Sequence, residues 1–154
     1  MTTLKVGDKA PDFSGIDQNG NEIGLSQFRG NKVILYFYPK ANTPGCTAES
    51  CSLRDASHEI ISQTYRIIGV SADTIAAQKK FDEKYSLGFP LIADVSKEII
   101  KSYGAWGEKK MFGKSYEGIM RYTFIISEEG VIENIITKVD TKNHATQIFG
   151  DHKS

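Results

Sequence analysis

The chemistry available to this sequence is concentrated in one stretch, Tyr36-Phe-Tyr-Pro-Lys-Ala-Asn-Thr-Pro-Gly-Cys46-Thr-Ala-Glu-Ser-Cys51, which holds both of the chain's cysteines. An apolar run ends there and a helical pattern begins. Thr43 is placed to be the N-cap and Pro44 the first helical residue, where its missing N–H costs nothing, so Cys46 falls in the first turn. Backbone N–H dipoles at that position favour a thiolate over a thiol, which makes Cys46 a candidate nucleophile. A free cysteine is also often no more than a small buried hydrophobe, and local placement does not separate the two readings.

Cys51 narrows the chemistry. In an ideal helix, residues five apart have Cα atoms about 8–9 Å from each other and directions about 140° apart. A disulfide needs Cα atoms within about 7 Å, so a bond between these two cysteines requires the first helical turns to unwind. Zinc fits poorly, because the two cysteines lack a second pair and His58, His144 and His152 stand at no ligand spacing. The sequence has no Cys-x-x-Cys, so simple disulfide exchange explains the pair less well than a peroxide reaction resolved within the chain.

These cysteines need a frame. Val33-Ile-Leu-Tyr-Phe-Tyr38 is a continuous run of β-branched, aliphatic and aromatic residues, the mark of a strand buried on both faces. The pattern then predicts a helix from residue 45 to about 65, a second buried strand over 66–71 and a helix over 74–85. Strands are expected over 89–93, 122–126 and 131–136, with helices over 97–103 and 141–151. Ahead of the core, residues 12–17 and 22–25 flank Asn19-Gly20, the signal of a tight hairpin turn. The order βαβα followed by ββα implies an α/β fold with a mixed central sheet and helices on both faces.

Composition sets the outer limits. A chain of 154 residues is about one domain at roughly 100–200 residues each, and 1–154 is read as a single domain. A chain of this length can bury roughly 68–70% of its unfolded surface, so folding requires neither disulfide nor metal. The 19 basic residues cancel the 19 acidic ones, leaving no bulk field to recruit nucleic acid or an anionic membrane. No run approaches the ~18 apolar residues of a membrane span, and the N-terminal residues form no apolar signal region. The expectation is a cytoplasmic protein whose cysteines are reduced at rest.

The residues Pro39-x-x-x-Thr43-x-x-Cys46 resemble the active-site motif of the peroxiredoxins. The longer form Thr43-Pro-Gly-Cys46-Thr-x-Glu49-x-Cys51 resembles the bacterioferritin comigratory protein, or PrxQ, subgroup. The likeness extends through Leu4-Lys-Val-Gly-Asp-Lys-Ala-Pro-Asp-Phe13, Ile68-Gly-Val-Ser71, Phe89-Pro-Leu-Ile-Ala-Asp94 and Arg121-Tyr-Thr-Phe-Ile-Ile126, nearly the whole chain. It implies a thioredoxin-like fold with an N-terminal β-hairpin extension. It also implies a peroxidase that reduces hydrogen peroxide and organic hydroperoxides to water and alcohols. By the resemblance Cys46 is the peroxidatic cysteine, Cys51 the resolving cysteine and Arg121 the active-site arginine; for such chemistry the Thr43 hydroxyl and the Cys46 N–H are placed to donate hydrogen bonds to the peroxide, and Pro39 to shape the loop and shield the sulfur from water. Thioredoxin is the implied reductant, no cofactor or metal is implied, and the subunit is expected to be a monomer or weak homodimer. A non-catalytic redox sensor switched by the same disulfide is the alternative reading.

Three further signals are weaker. Gly113-Lys114-Ser115 invites a phosphate-loop reading, but Gly107 lies one residue too far away and the segment leads into a strand. Residues 104–118 read as a glycine-punctuated surface connection. Glu49 either orients Arg121 or sits on a solvated helix face.

Overall fold

The computed structural model of the chain describes residues 2–57 and 65–149. Its centre is β3 (Lys32–Phe37), flanked in parallel by β4 (Tyr65–Ser71) and in antiparallel by β8 (Thr123–Ile126). With β5 (Leu91–Ala93) and β9 (Ile132–Ile136) at the edges, the order is β5-β4-β3-β8-β9, the mixed sheet that the pattern predicts. Along β3, Val33, Leu35 and Phe37 point into one core, while Ile34, Tyr36 and, just past the strand, Tyr38 point into the other. All six are fully buried, which is why this strand reads as an unbroken apolar run.

Helices cover both faces. On the Ile34/Tyr36 side lie α1 (Pro44–Asp55), α2 (Ile75–Tyr85) and α4 (His144–Phe149), contributing Leu53, Phe81 and Ile148. On the other side α3 (Glu98–Ser102) packs Ile99 and Ile100 beside Phe13 and Ile23 of the N-terminal segment. That segment forms the expected hairpin, β1 (Ser14–Ile16) with β2 (Glu22–Gly24), and Gly20 supplies its positive φ of 80°. Gln18 fastens the hairpin turn to the sheet: its amide donates to Phe89 O at 2.9 Å and accepts from Leu91 N at 2.8 Å.

Two expectations about the elements change. The helix read from residue 45 to about 65 is interrupted: α1 ends at Asp55, Ala56 is a turn residue, and Ser57 is helical again. The last stretch of that expectation, 58–64, and His58 with it, lies outside the described residues. The second change is at 104–118, which is no irregular connection but a hairpin of β6 (Trp106–Met111) and β7 (Lys114–Ile119). Its two-residue turn, Phe112-Gly113, has positive φ at both positions, 54° and 76°. Hydrophobic alternation is missing because much of the ladder is solvated, and Phe-Gly is not the usual turn dipeptide. Strand β7, not a helix, follows Gly113, so the segment lacks the helix that a phosphate loop opens.

Gly69 lies where β4 crosses the densest part of the core: a Cβ there would come within 2.9 Å of Leu91 and 3.0 Å of the Tyr36 ring. Both neighbours are fully buried and have nowhere to go. Gly69→Ala is expected to lower stability by about 1–3 kcal/mol, read as a lowered urea midpoint at unchanged slope.

Candidate active site

The site forms where β3 ends. Antiparallel pairing of Tyr36 with Thr123 brings the start of β8 beside the end of β3, and Phe37 N–H donates to Tyr122 O at 2.9 Å. Arg121 is therefore delivered to the loop that leads into α1. Thr43 is the N-cap of that helix and Pro44 its first residue, so Cys46 lies in the first turn, as expected. Arg121 Nη1 donates to Cys46 Sγ at 3.3 Å and to Glu49 Oε1 at 2.9 Å. The guanidinium lies against Gly45, where an added Cβ would stand 3.2 Å from Nη2, so a side chain at this position crowds the arginine.

Burial gives these contacts their weight. Cys46 and Glu49 are inaccessible to solvent, and the Arg121 side chain is 24% exposed. Burial pushes the Glu49 carboxyl up to about 7, outweighing the opposing pull of Arg121. Burial alone would lower the Arg121 guanidinium, yet the sulfur and the carboxylate beside it raise it. Behind Glu49 stands His144, also fully buried, with Nε2 3.5 Å from Glu49 Oε2 and 2.8 Å from Thr123 Oγ1. Lys109 of β6 donates to Ile119 O at 2.7 Å; burial first, then Arg121, lower its ammonium while Cys46 acts in the opposite sense.

The residues singled out in the sequence converge unequally. Cys46, Arg121 and Glu49 are in direct contact. Thr43 stands at the head of α1, but its hydroxyl donates to Lys40 O at 2.8 Å and does not cap the helix, so the proton expected to serve a peroxide is already engaged. Pro39 is half-buried at the bend leaving β3. Cys51 is half-buried on α1, which is continuous from Pro44 to Asp55, so the two sulfurs are unbonded and held apart by helical geometry. Tyr36 is core and also bonds Ser50 Oγ at 2.8 Å, while Tyr38 bonds Gln78. Lys109 carries no signal in the sequence, and His144 enters there only as a histidine at no ligand spacing. No motif marks either, because each reaches the site through tertiary packing alone. Among the described residues no cluster of His, Cys, Asp or Glu is able to hold a metal ion, and no helix is long and apolar enough to cross a membrane.

The AhpC/TSA family profile matches residues 6–135. The chain belongs to this family. It is 42% identical over 144 residues to peroxiredoxin Bcp of Escherichia coli, covering 94% of this chain and 92% of that one. Among solved structures, peroxiredoxin Q of Xanthomonas campestris aligns with a TM-score of 0.86 at 29% identity, covering 99% and 96% of the two chains. Peroxidoxin BcpB of Mycobacterium tuberculosis aligns with a TM-score of 0.84 at 31% identity, covering 96% and 95%. The fold is thus thioredoxin-like, and this AhpC/TSA protein is a thiol-dependent peroxidase, an oxidoreductase acting on peroxides.

Glu49 makes stability depend on pH. Its folded value, about 7 against an ordinary 4.5, means that folding binds a proton there. That stabilisation is complete below the ordinary carboxylate range and is lost as pH rises through about 7. Glu49→Gln removes the titration. In urea unfolding of the reduced protein, the stability of wild type relative to the variant is expected to fall by on the order of 3 kcal/mol between acid and neutral pH.

Proposed function

We propose that Cys46 is the peroxidatic sulfur, Cys51 the resolving one and Arg121 the charge that activates the site, within one domain. The observation that carries this reading is the single guanidinium nitrogen donating at once to the buried Cys46 sulfur and to Glu49. As a thiolate, Cys46 attacks the nearer oxygen of a hydroperoxide. The S–O bond forms as the O–O bond breaks, sulfur becomes a sulfenic acid, and the leaving oxygen takes a proton to depart as water or an alcohol. Charge moves from sulfur to the leaving oxygen along that line, and a fixed fork-shaped cation beside it stabilises the transition state. Thr43, its proton held by Lys40 O, accepts the hydroperoxide O–H and orients it, while Pro39 shapes the mouth of the pocket.

Resolution requires α1 to unwind. The ties to be broken are polar: Ser50 to Tyr36, Glu49 to Arg121, Ser52 Oγ to Ala145 N at 3.1 Å, and Arg54 to Tyr85 O at 2.7 Å. The Cys51 sulfur then displaces water from the sulfenic acid, giving the Cys46–Cys51 disulfide, and an external dithiol of the thioredoxin kind returns both thiols by exchange. A cytoplasmic setting with thioredoxin as reductant, and a monomer or weak homodimer, fit this cycle. Hydrogen peroxide and organic hydroperoxides are the substrates; one solved relative, the bacterioferritin comigratory protein of Xanthomonas campestris, concerns alkyl peroxide reduction.

Stopped-flow mixing of reduced protein with one equivalent of hydrogen peroxide should form an intramolecular 46–51 disulfide, identified by mass mapping. Oxidation no faster than that of free cysteine would refute the assignment. Cys46→Ser is expected to abolish turnover, whereas Cys51→Ser keeps one rapid oxidation and loses recycling by thioredoxin. Arg121→Lys, which retains charge but loses the fork, should slow the oxidation step by about 10²-fold.

A further inference from the structure

The loop that leads from β3 to α1 is held from outside the site. β3 and β4 run parallel, so both end on the same side of the sheet, and Tyr38 N–H donates to Val70 O at 3.1 Å. The turn that follows β4 therefore stands beside residues 39–43. Within it, one carboxylate oxygen, Asp73 Oδ2, accepts the Ala41 N–H at 2.7 Å and the Ser71 hydroxyl at 2.7 Å. Neither attack on peroxide nor resolution uses this carboxylate directly.

Buried partners fix the direction of every proton around it. Gln78 Nε2 donates to Ile92 O at 2.9 Å, and a carbonyl only accepts, so the amide has one orientation. Its Oε1 accepts from the Tyr38 hydroxyl, and its Nε2 also donates to Ser71 Oγ at 2.9 Å. Ser71 Oγ accepts a second bond from Asp73 N at 3.3 Å. With both lone pairs engaged, the Ser71 proton is directed at Asp73. Tyr38, Ser71 and Gln78 are inaccessible to solvent. Asp73 thus ends a buried network that begins at the residue before Pro39.

What the carboxylate holds is a single peptide unit. Ala41 N–H and Lys40 C=O belong to one planar peptide, which is trans, so they point in opposite directions from a rigid plate. Asp73 holds the N–H side, while the C=O side accepts the Thr43 hydroxyl at 2.8 Å. Asn42 closes the bend with a φ of 63°, its side-chain oxygen accepting from Tyr85 at 3.1 Å. Turning the plate breaks the bonds on both of its sides at once.

We propose that Asp73 is a positioning residue of the peroxidase site: through the Lys40–Ala41 peptide it keeps the Thr43 proton on Lys40 O, so that Thr43 turns its lone pairs to the hydroperoxide. The inference rests on Cys46 as the reacting sulfur and on Thr43 as the acceptor of the hydroperoxide O–H. A Thr43 hydroxyl released from Lys40 O rotates, and fewer molecules present an acceptor to the bound hydroperoxide. The attack then loses orientation while the sulfur keeps its contact with Arg121. An electrophile that carries no hydroperoxide O–H does not feel the change.

The test compares two reactions of Cys46 in the reduced protein. One is second-order oxidation by hydrogen peroxide, followed by stopped flow; the other is alkylation by iodoacetamide, read at Cys46 by mass mapping. Asp73→Ala leaves Ala41 N–H without its acceptor and should slow oxidation about tenfold or more, with alkylation within about twofold of wild type. Asp73→Asn keeps an oxygen with two lone pairs in place and should restore most of the oxidation rate. Thr43→Val, similar in shape and without a hydroxyl, should slow oxidation by itself, and adding Asp73→Ala to it should cost little more. An Asp73→Ala oxidation rate equal to wild type, equal losses in the two reactions, no rescue by asparagine, or losses that multiply in the double variant each overturn the proposal. Rapid oxidation of wild type leaves the peroxidase reading intact in all four cases. Slow oxidation of wild type refutes the reading of Cys46 instead, and a Thr43→Val rate equal to wild type removes the acceptor role of Thr43 and the proposal with it. Should Asp73→Ala fail to fold, Asp73→Ser, at home in the turn but too short to reach Ala41, is held to the same outcomes.

Discussion

Everything at this site depends on one guanidinium nitrogen that serves two buried acceptors. Arg121 Nη1 holds the Cys46 sulfur and the Glu49 carboxylate together across the gap between β8 and α1. Arginine suits the task because its planar fork is always charged and presents several donors in fixed directions, whereas an ammonium is a single point of charge. Taking such charges out of water is costly, and removing one partner of a buried pair leaves the other uncompensated, at about 3–5 kcal/mol. The three residues therefore form a unit in which no member is neutral to substitution. Gly45 belongs to the same unit, because a side chain there would crowd the guanidinium at 3.2 Å.

The sheet supplies rigidity and α1 supplies compliance. β3, β4 and β8 are sealed in two apolar cores, and their registers fix where Arg121 and the start of α1 stand. The buried face of α1 is different in kind: besides Cys46 it offers Glu49, Ser50 and only one large aliphatic residue, Leu53. A helix held by hydrogen bonds and one leucine opens at lower free energy than one held by a continuous apolar stripe. On the proposed role of Cys46, the element that must be exact for attack on peroxide is thus also the element that can be unwound without dissolving the core.

How much of this the sequence disclosed follows from what kind of signal each part leaves. β3 announced itself because burial on both faces demands an unbroken apolar run, and the cysteine stretch because capping chemistry and thiol spacing are local. Arg121 was reached by resemblance alone, since nothing adjacent to it in the chain marks a strand-end arginine as buried. The β6–β7 hairpin was missed because a solvated ladder needs no alternating pattern, and with it Lys109 was missed. His144 was dismissed as standing at no ligand spacing, which is true and beside the point. Its partners are Glu49 on α1 and Thr123 on β8, and only the packing of α4 against α1 brings them together.

On the roles proposed for Cys46 and Cys51, the chemistry itself alters the balance that holds α1 in place. While sulfur is anionic, it is one of the two groups that keep Arg121 in position, and Arg121 in turn ties Glu49 to β8. Once the sulfur carries oxygen as a neutral sulfenic acid, that attraction is gone and the guanidinium is held by Glu49 alone. The remaining restraints on the helix are the buried Leu53 side chain and the bonds of Ser50, Ser52 and Arg54, each a single hydrogen bond worth about 0.5–1.5 kcal/mol net, or somewhat more where the donor is charged. Oxidation therefore removes a tie at the N-terminal turn, the place where unwinding must begin for Cys51 to reach Cys46. In the proposed cycle the electrostatic contact that stabilises attack on the peroxide is spent by the attack, and its loss releases the segment that carries Cys51.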